Sequence, residues 1–178
     1  MIKMVRLREE HLEMLLNWRT QDFVSKYMLT KVDNSMENQL KWFSSISSSD
    51  QYRYWVIEYK SVPIGVVNLA EIDLLNLKCN AGYYIGDENY KSLGAVILPY
   101  LYNYIFKNLG FRKVFGSVLS DNKSILQIHN IHGYRTIGYY EKHVKKGNEF
   151  LDIILIELMA DVWLTKRKYS TCLAEWED

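Results

Sequence analysis

The sequence predicts an α+β fold, with one layer of sheet and helices on both of its sides. Three observations carry this. Aromatic and β-branched runs alternate with amphipathic runs in the order β-α-α-β-β-β-α-β-α-β-β. Residues 83–106 pass from a strand through a polar turn with glycine into an amphipathic helix. The chain has 178 residues, 48% of them hydrophobic, which suits one domain with a sizeable core.

Each element has its own signal. Residues 1–7 alternate apolar and basic side chains, as an edge strand would. Residues 9–19 place Leu12, Leu15 and Leu16 on one helical face, with Glu9, Glu10 and Glu13 as a solvated face. Residues 20–31 form a loop or short helix with an exposed cluster of Phe23, Tyr27, Met28 and Leu29. Asn34 or Ser35 caps a second helix that buries Leu40, Phe43 and Ile46 or Ser47. Strands follow at 54–59 and 64–72, with Gly65 marking a bulge. A turn at 73–77 leads to a strand at 78–86. The next helix, about 92–109, buries Leu93, Val96, Ile97, Leu101, Tyr104 and Ile105 and ends at Gly110. Pro99 inside it costs ~3 kcal/mol in a regular interior, so the helix kinks or starts later. A strand at 113–119 and a helix at 122–131 ending at Gly133 come next. Two strands, 134–143 and 150–159, are joined by a hairpin signal at 145–148. The tail, about 161–178, is mixed and polar and is expected to be peripheral.

The net charge of +1 offers no global field for nucleic acid or a membrane surface, so an anionic ligand must be held by local donors. Cys79 and Cys172 have no metal or redox spacing and fit a reducing cytosol. The N-terminus lacks the apolar run of a signal peptide, and no segment approaches transmembrane length, so the expected location is the cytoplasm. Fourteen tyrosines and five tryptophans suit a cleft for an amphipathic ligand, or an ordinary core.

The stretch 83–106 is the local arrangement of an anion site, because a helix N-terminus presents unpaired N–H groups and a positive dipole end. Within it, Asn89-Tyr90-Lys91-Ser92-Leu93-Gly94 resembles the pyrophosphate loop of the GCN5-related N-acetyltransferase (GNAT) superfamily, with Gly94 as the clean match. Asn122, Ile125, Ile128, His129, Gly133 and Tyr134 resemble a second signature of that family, in order and on the right element. Asn17-Trp18-Arg19, Tyr27-Met28, residues 39–43 and residues 54–57 resemble the PseH-type subgroup.

The resemblance implies a mixed, mostly antiparallel sheet splayed in the middle, with acetyl-CoA as cofactor. It implies direct acetylation of the 4-amino group of a UDP-linked amino-dideoxy sugar. Alternatives on the same fold are a protein N-terminus, a polyamine or an aminoglycoside as acceptor, or an acetyl-CoA binder without catalysis. The partner is then a small molecule, and the protein a monomer or homodimer. For the cofactor, the implied set is the backbone near Tyr84, Ile85 and Gly86, the loop Asn89, Tyr90, Lys91, Ser92, Leu93, Gly94 and Ala95, and Asn122, Ser124 and His129. His129 stands where the family has a tyrosine acid, and protonates the thiolate or hydrogen-bonds the sulfur. Candidates for the amine's base are Glu71, Asp73 and His143, with Ser117 or Tyr83 as positioning groups. The acceptor pocket is expected from Arg19, Tyr27, Met28, Leu29 and Trp42, with Tyr83 and His143 beside it. His129 and His132 are spaced i, i+3 with no carboxylate or cysteine nearby, so no metal is expected.

Overall fold

A computed structural model describes residues 1–177. Its centre is an eight-stranded sheet in the order β6-β7-β5-β4-β3-β2-β1-β8. The strands are β1 (Ile2–Arg6), β2 (Arg53–Tyr59), β3 (Val62–Asp73), β4 (Lys78–Ile85), β5 (Lys113–Leu119), β6 (Arg135–Lys146), β7 (Glu149–Met159) and β8 (Glu175–Trp176). Neighbours are antiparallel except β4–β5 and β1–β8. The helices are α1 (Leu12–Arg19), α2 (Asp22–Ser25), α3 (Met36–Ser47), α4 (Gly94–Asn103), α5 (Lys123–His132) and α6 (Ala160–Leu164).

Two packed layers follow from side-chain alternation along the strands. Leu15 and Trp18 of α1 and Ile46 of α3 pack with Val56 and Val66 on one face. Ile97, Leu101 and Tyr102 of α4 pack with Val67, Leu69, Cys79 and Val114 on the other, joined by Ile125 and Ile128 of α5.

The long helix at 92–109 is three pieces. A 3-10 segment (Glu88–Leu93) leads into α4, and a π-helical turn (Tyr104–Asn108) follows it. Pro99 has no N–H for the Ala95 carbonyl, and the π turn is closed by Leu109 N–H on the Tyr104 carbonyl at 3.0 Å. Val96 is exposed, against expectation. The face of α3 is also rotated from expectation, with Gln39 and Ile46 buried and Leu40 exposed.

The tail is not peripheral, and β1 is not an edge strand. Met4 pairs with Trp176 of β8, and the Trp55 indole N–H donates to the Glu177 carbonyl at 2.7 Å. Trp163 is 2% exposed and donates its indole N–H to Asn103 Oδ1 at 3.0 Å. Asn103 in turn donates to the carbonyls of Tyr169 and Cys172 at 2.8 and 2.9 Å. A buried amide with every hydrogen bond made anchors the tail to the core.

A candidate acyl-transfer site

The sheet opens in its middle. β4 and β5 pair only through Lys78–Lys113, Cys79–Val114 and Asn80–Phe115, although both strands run on for several residues. Antiparallel bonding alternates along β3–β4. Gly86 N–H reaches the Ile64 carbonyl at 2.8 Å, so Tyr84, two residues earlier, also turns its backbone to β3 opposite Val66. A Cβ on Gly65 would meet the Tyr84 carbonyl oxygen at 2.2 Å, which places that oxygen against β3. The backbone of Tyr83 and Ile85 therefore faces the gap, while that of Tyr84 and Gly86 does not. Gly86 has a packing reason instead, since a Cβ there would lie 2.1 Å from the Trp18 ring.

The N-terminus of α4 lies under the end of β4. The atoms nearest a Cβ on Gly94 would be Tyr83 Oη at 3.5 Å and Ile85 Cγ1 and Tyr83 Cε2 at 3.6 Å, ordinary contacts. The protein's own packing does not demand glycine there, whereas a closely approaching phosphate would. Several predicted loop donors are spent. Asn89 N–H donates to Asp87 Oδ1 at 2.9 Å, Tyr90 N–H to the Asp87 carbonyl at 3.0 Å, and Gly94 N–H to the Lys91 carbonyl. The 3-10 geometry of 88–93 accounts for this. α4 begins at Gly94, directly after the 3-10 segment, so the helix N-terminus stands one turn beyond the start of the predicted loop. Lys91 lies over the Phe23 ring at 5.3 Å, and Tyr90 meets Tyr59 edge-on. Ser92 and Leu93 lie in the same 3-10 segment.

On α5, Asn122 caps the helix by accepting from Ile125 N–H, and Ser124 is exposed in the first turn. His129 Nδ1 lies 3.4 Å from Tyr102 Oη, and its ring rests on Tyr134 at 4.5 Å. Burial, and then His132, push its pKa down to about 4. His129 is thus neutral at pH 7, which removes the imidazolium acid and leaves a hydrogen-bonding imidazole. Tyr102, which sequence reasoning missed, and Tyr134 of the second signature are held well above the ordinary tyrosine range by burial.

A cleft lies against the other face. Its inner chamber, about 440 Å³, is lined by residues including Leu15, Arg19, Gln39, Trp42, Tyr54 and Tyr84. Its outer chamber, about 550 Å³, is lined by residues including Met28, Leu29, Lys145 and Lys146. Arg19, Thr30, Lys31, Val32 and Asp33 border both. Arg19 Nη2 donates to Thr30 Oγ1 at 3.1 Å and its guanidinium lies 5.8 Å from the Tyr84 ring. Its Nε is buried without a partner, and no carboxylate among the described residues pairs with it. Trp42 and Tyr54 meet edge-on at 5.1 Å.

Arg19, Trp42, Met28 and Leu29 thus share this cleft, and other predicted residues do not. Tyr27 is exposed, with Lys26 over its ring. Tyr83 is on the α4 face, its pKa pushed up to about 12 by burial, and it is Tyr84 that reaches the cleft. His143 is exposed on β6 against Tyr140. Glu71 accepts from Asn80 Nδ2 at 3.3 Å, at the closed end of the β4–β5 gap. That is roughly 16 Å from Ile85 at the strand rise per residue. Asp73 accepts from Asn76 N–H at 2.9 Å, a turn role, and its pKa is lowered by those bonds. Ser117 is on β5 beyond the last pair with β4, on the face opposite Val114. Gln39 carried a legible signal, a polar residue seven before Ile46 on one helical face.

A split parallel pair beside a helix N-terminus, with an aromatic cleft on the opposite face, is the arrangement of an acyl-CoA transferase. Residues 4–155 match the model of the acetyltransferase (GNAT) domain, and the chain belongs to that family. It is an acetyl-CoA-dependent N-acetyltransferase. Acetyltransferase PseH of Campylobacter jejuni is 23% identical over 123 residues, covering 69% of this chain and 76% of that protein. The spermidine N-acetyltransferase of Vibrio cholerae, solved with CoA and spermine, superposes with a TM-score of 0.84 at 16% identity. That match covers 92% of this chain and 98% of the other. A dodecameric structure of spermidine N-acetyltransferase from Vibrio cholerae in an intermediate state gives 0.78 at 15% identity, covering 93% and 97%. At such identities the structural likeness speaks for the fold alone. Among the described residues no helix is long and apolar enough to cross a membrane.

Proposed function

We propose that this enzyme acetylates the 4-amino group of a UDP-linked amino-dideoxy sugar. The observation that carries the reading is the charge of the cleft. Arg19, Lys31, Lys145 and Lys146 line it against the single carboxylate of Asp33. Four cations beside one carboxylate would repel a polyamine, and they attract a diphosphate. Glu9, Glu10 and Glu13, the carboxylates a polyamine site would need, are exposed on the first helical turns and line neither chamber. The likeness to PseH supports the same class of acceptor.

Each part of the chemistry has residues to serve it. Acetyl-CoA supplies an activated acetyl thioester. The α4 N-terminus, beginning at Gly94, would hold the pyrophosphate. The backbone of Tyr83 and Ile85 holds the arm that enters the gap. His129 donates a hydrogen bond to the sulfur as a neutral imidazole. Arg19 and Lys31 take the diphosphate, and Trp42, Tyr54 and Tyr84 cover the apolar face of the sugar. Burial keeps Tyr84 protonated, so it positions by donating rather than by taking a proton. Asp33 or solvent accepts the amine proton. Transfer is direct, because Cys79 is fully buried and its thiol is pushed up to about 12.

Calorimetric titration with UDP tests the reading. UDP binds the wild type, and Arg19→Met weakens it at least tenfold, as loss of one charged hydrogen bond would. Absence of UDP binding to the wild type removes the nucleotide from the proposal.

A further inference from the structure

We propose that Lys146 is a positioning residue for the acceptor, a reading that rests on the cleft above being the acceptor site. Lys146 ends β6 at the tip of its hairpin with β7. Its Nζ donates to the Lys26 carbonyl at 2.6 Å and to the Ser25 carbonyl at 3.1 Å. Those carbonyls close α2, where Ser25 C=O also accepts Met28 N–H at 3.1 Å, and the lysine adds a donor at the C-terminal end of the helix. One ammonium therefore joins segments 120 and 121 residues apart in sequence. They are the two walls of the outer chamber, Lys145 to Gly147 on one side and Ser25, Met28 and Leu29 on the other.

The segment that Lys146 holds has little else to order it. Val24 is the one buried residue of α2, and Tyr27 and Leu29 are 38% and 40% exposed. A segment with few buried apolar contacts opens readily unless polar ties hold it. Three such ties are spaced along it. Lys91, from the cofactor loop, lies over Phe23 at its start. Lys146 caps its middle. Arg19 binds Thr30 at its end, and Arg19 borders both chambers. Removing the middle tie loosens Met28 to Thr30 and takes from Arg19 the partner that aims its guanidinium.

The test uses the whole chain with Lys146→Met and Lys146→Arg. Amide hydrogen exchange across residues 24–30 speeds up on the order of tenfold in Lys146→Met, while exchange in β2 to β5 is unchanged. UDP affinity falls by about tenfold in the same variant, and acetyl-CoA affinity does not. Arginine, with donors enough for two carbonyls, restores both readouts. Unchanged exchange in Lys146→Met overturns the tie itself. Faster exchange with unchanged UDP affinity overturns its part in positioning the acceptor. If the wild type binds no UDP, the nucleotide reading fails, and the exchange comparison still decides whether Lys146 orders the cleft.

Discussion

His132 makes the fold sensitive to acid in a way that can be calculated. It is 3% exposed, packed among Tyr102, Trp163 and Tyr169, and its Nδ1 has no partner. Burial, with Lys166 and Lys168 adding to it, pushes its pKa down from 6.5 to about 4. The sign follows from linkage. Between those values the unfolded chain binds the proton and the folded chain does not. Stability therefore rises with pH through this window and is lost as pH falls from 6.5 toward 4. At pH 4.5 the cost relative to pH 7 and above is roughly 2–3 kcal/mol, at 1.36 kcal/mol per unit. His132→Leu keeps an apolar side chain in the site and removes the titration. Urea unfolding at a series of pH values, read as free energies by linear extrapolation, gives the comparison. The wild type loses roughly 2–3 kcal/mol more than His132→Leu between pH 7 and 4.5. Curves that fall in parallel would refute the burial argument for this histidine.

Other expectations concern the site. Gly86→Ala drives a Cβ into the Trp18 ring, and overpacking of this kind costs about 1–3 kcal/mol, seen as a lower unfolding midpoint; an unchanged midpoint contradicts the contact. His129→Phe slows acetyl transfer at saturating substrate, and the wild-type kcat profile shows no inflection near pH 6.5, because the imidazole is already neutral there. An inflection at that pH that vanishes in His129→Phe would restore an acid role. Tyr84→Phe raises the acceptor KM by several-fold and leaves the KM for acetyl-CoA unchanged, since its ring lines the cleft while its backbone pairs with β3. Equal effects on both substrates would place Tyr84 elsewhere.

Local signals carried much of the fold. α5 was legible because Asn122 caps it and Gly133, at φ 97°, ends it in the left-handed conformation. β5 was legible as an apolar run between turn signals. Less of the tail was. β8 is two residues long and exists because β1 lies beside it, a pairing about 170 residues distant in sequence. Trp163 and Asn103 find each other only once the sheet is assembled. The cleft residues Arg19, Met28, Leu29 and Trp42 came through the resemblance, whereas Tyr83 was taken for Tyr84. That error is one residue of strand parity, and a one-residue slip moves a side chain to the other face. Lys146 was legible as part of the hairpin turn but not as a tie to α2, because its partners are backbone carbonyls on a distant helix.

The central claim is that the cations of the cleft select a nucleotide-linked amine. Thiol release from acetyl-CoA, measured side by side with a UDP-linked 4-amino-4,6-dideoxy sugar and with spermidine, tests it most directly. The account predicts turnover of the nucleotide sugar with a kcat/KM at least a hundredfold above that for spermidine, the order set by two charged contacts. Faster turnover of spermidine would contradict it.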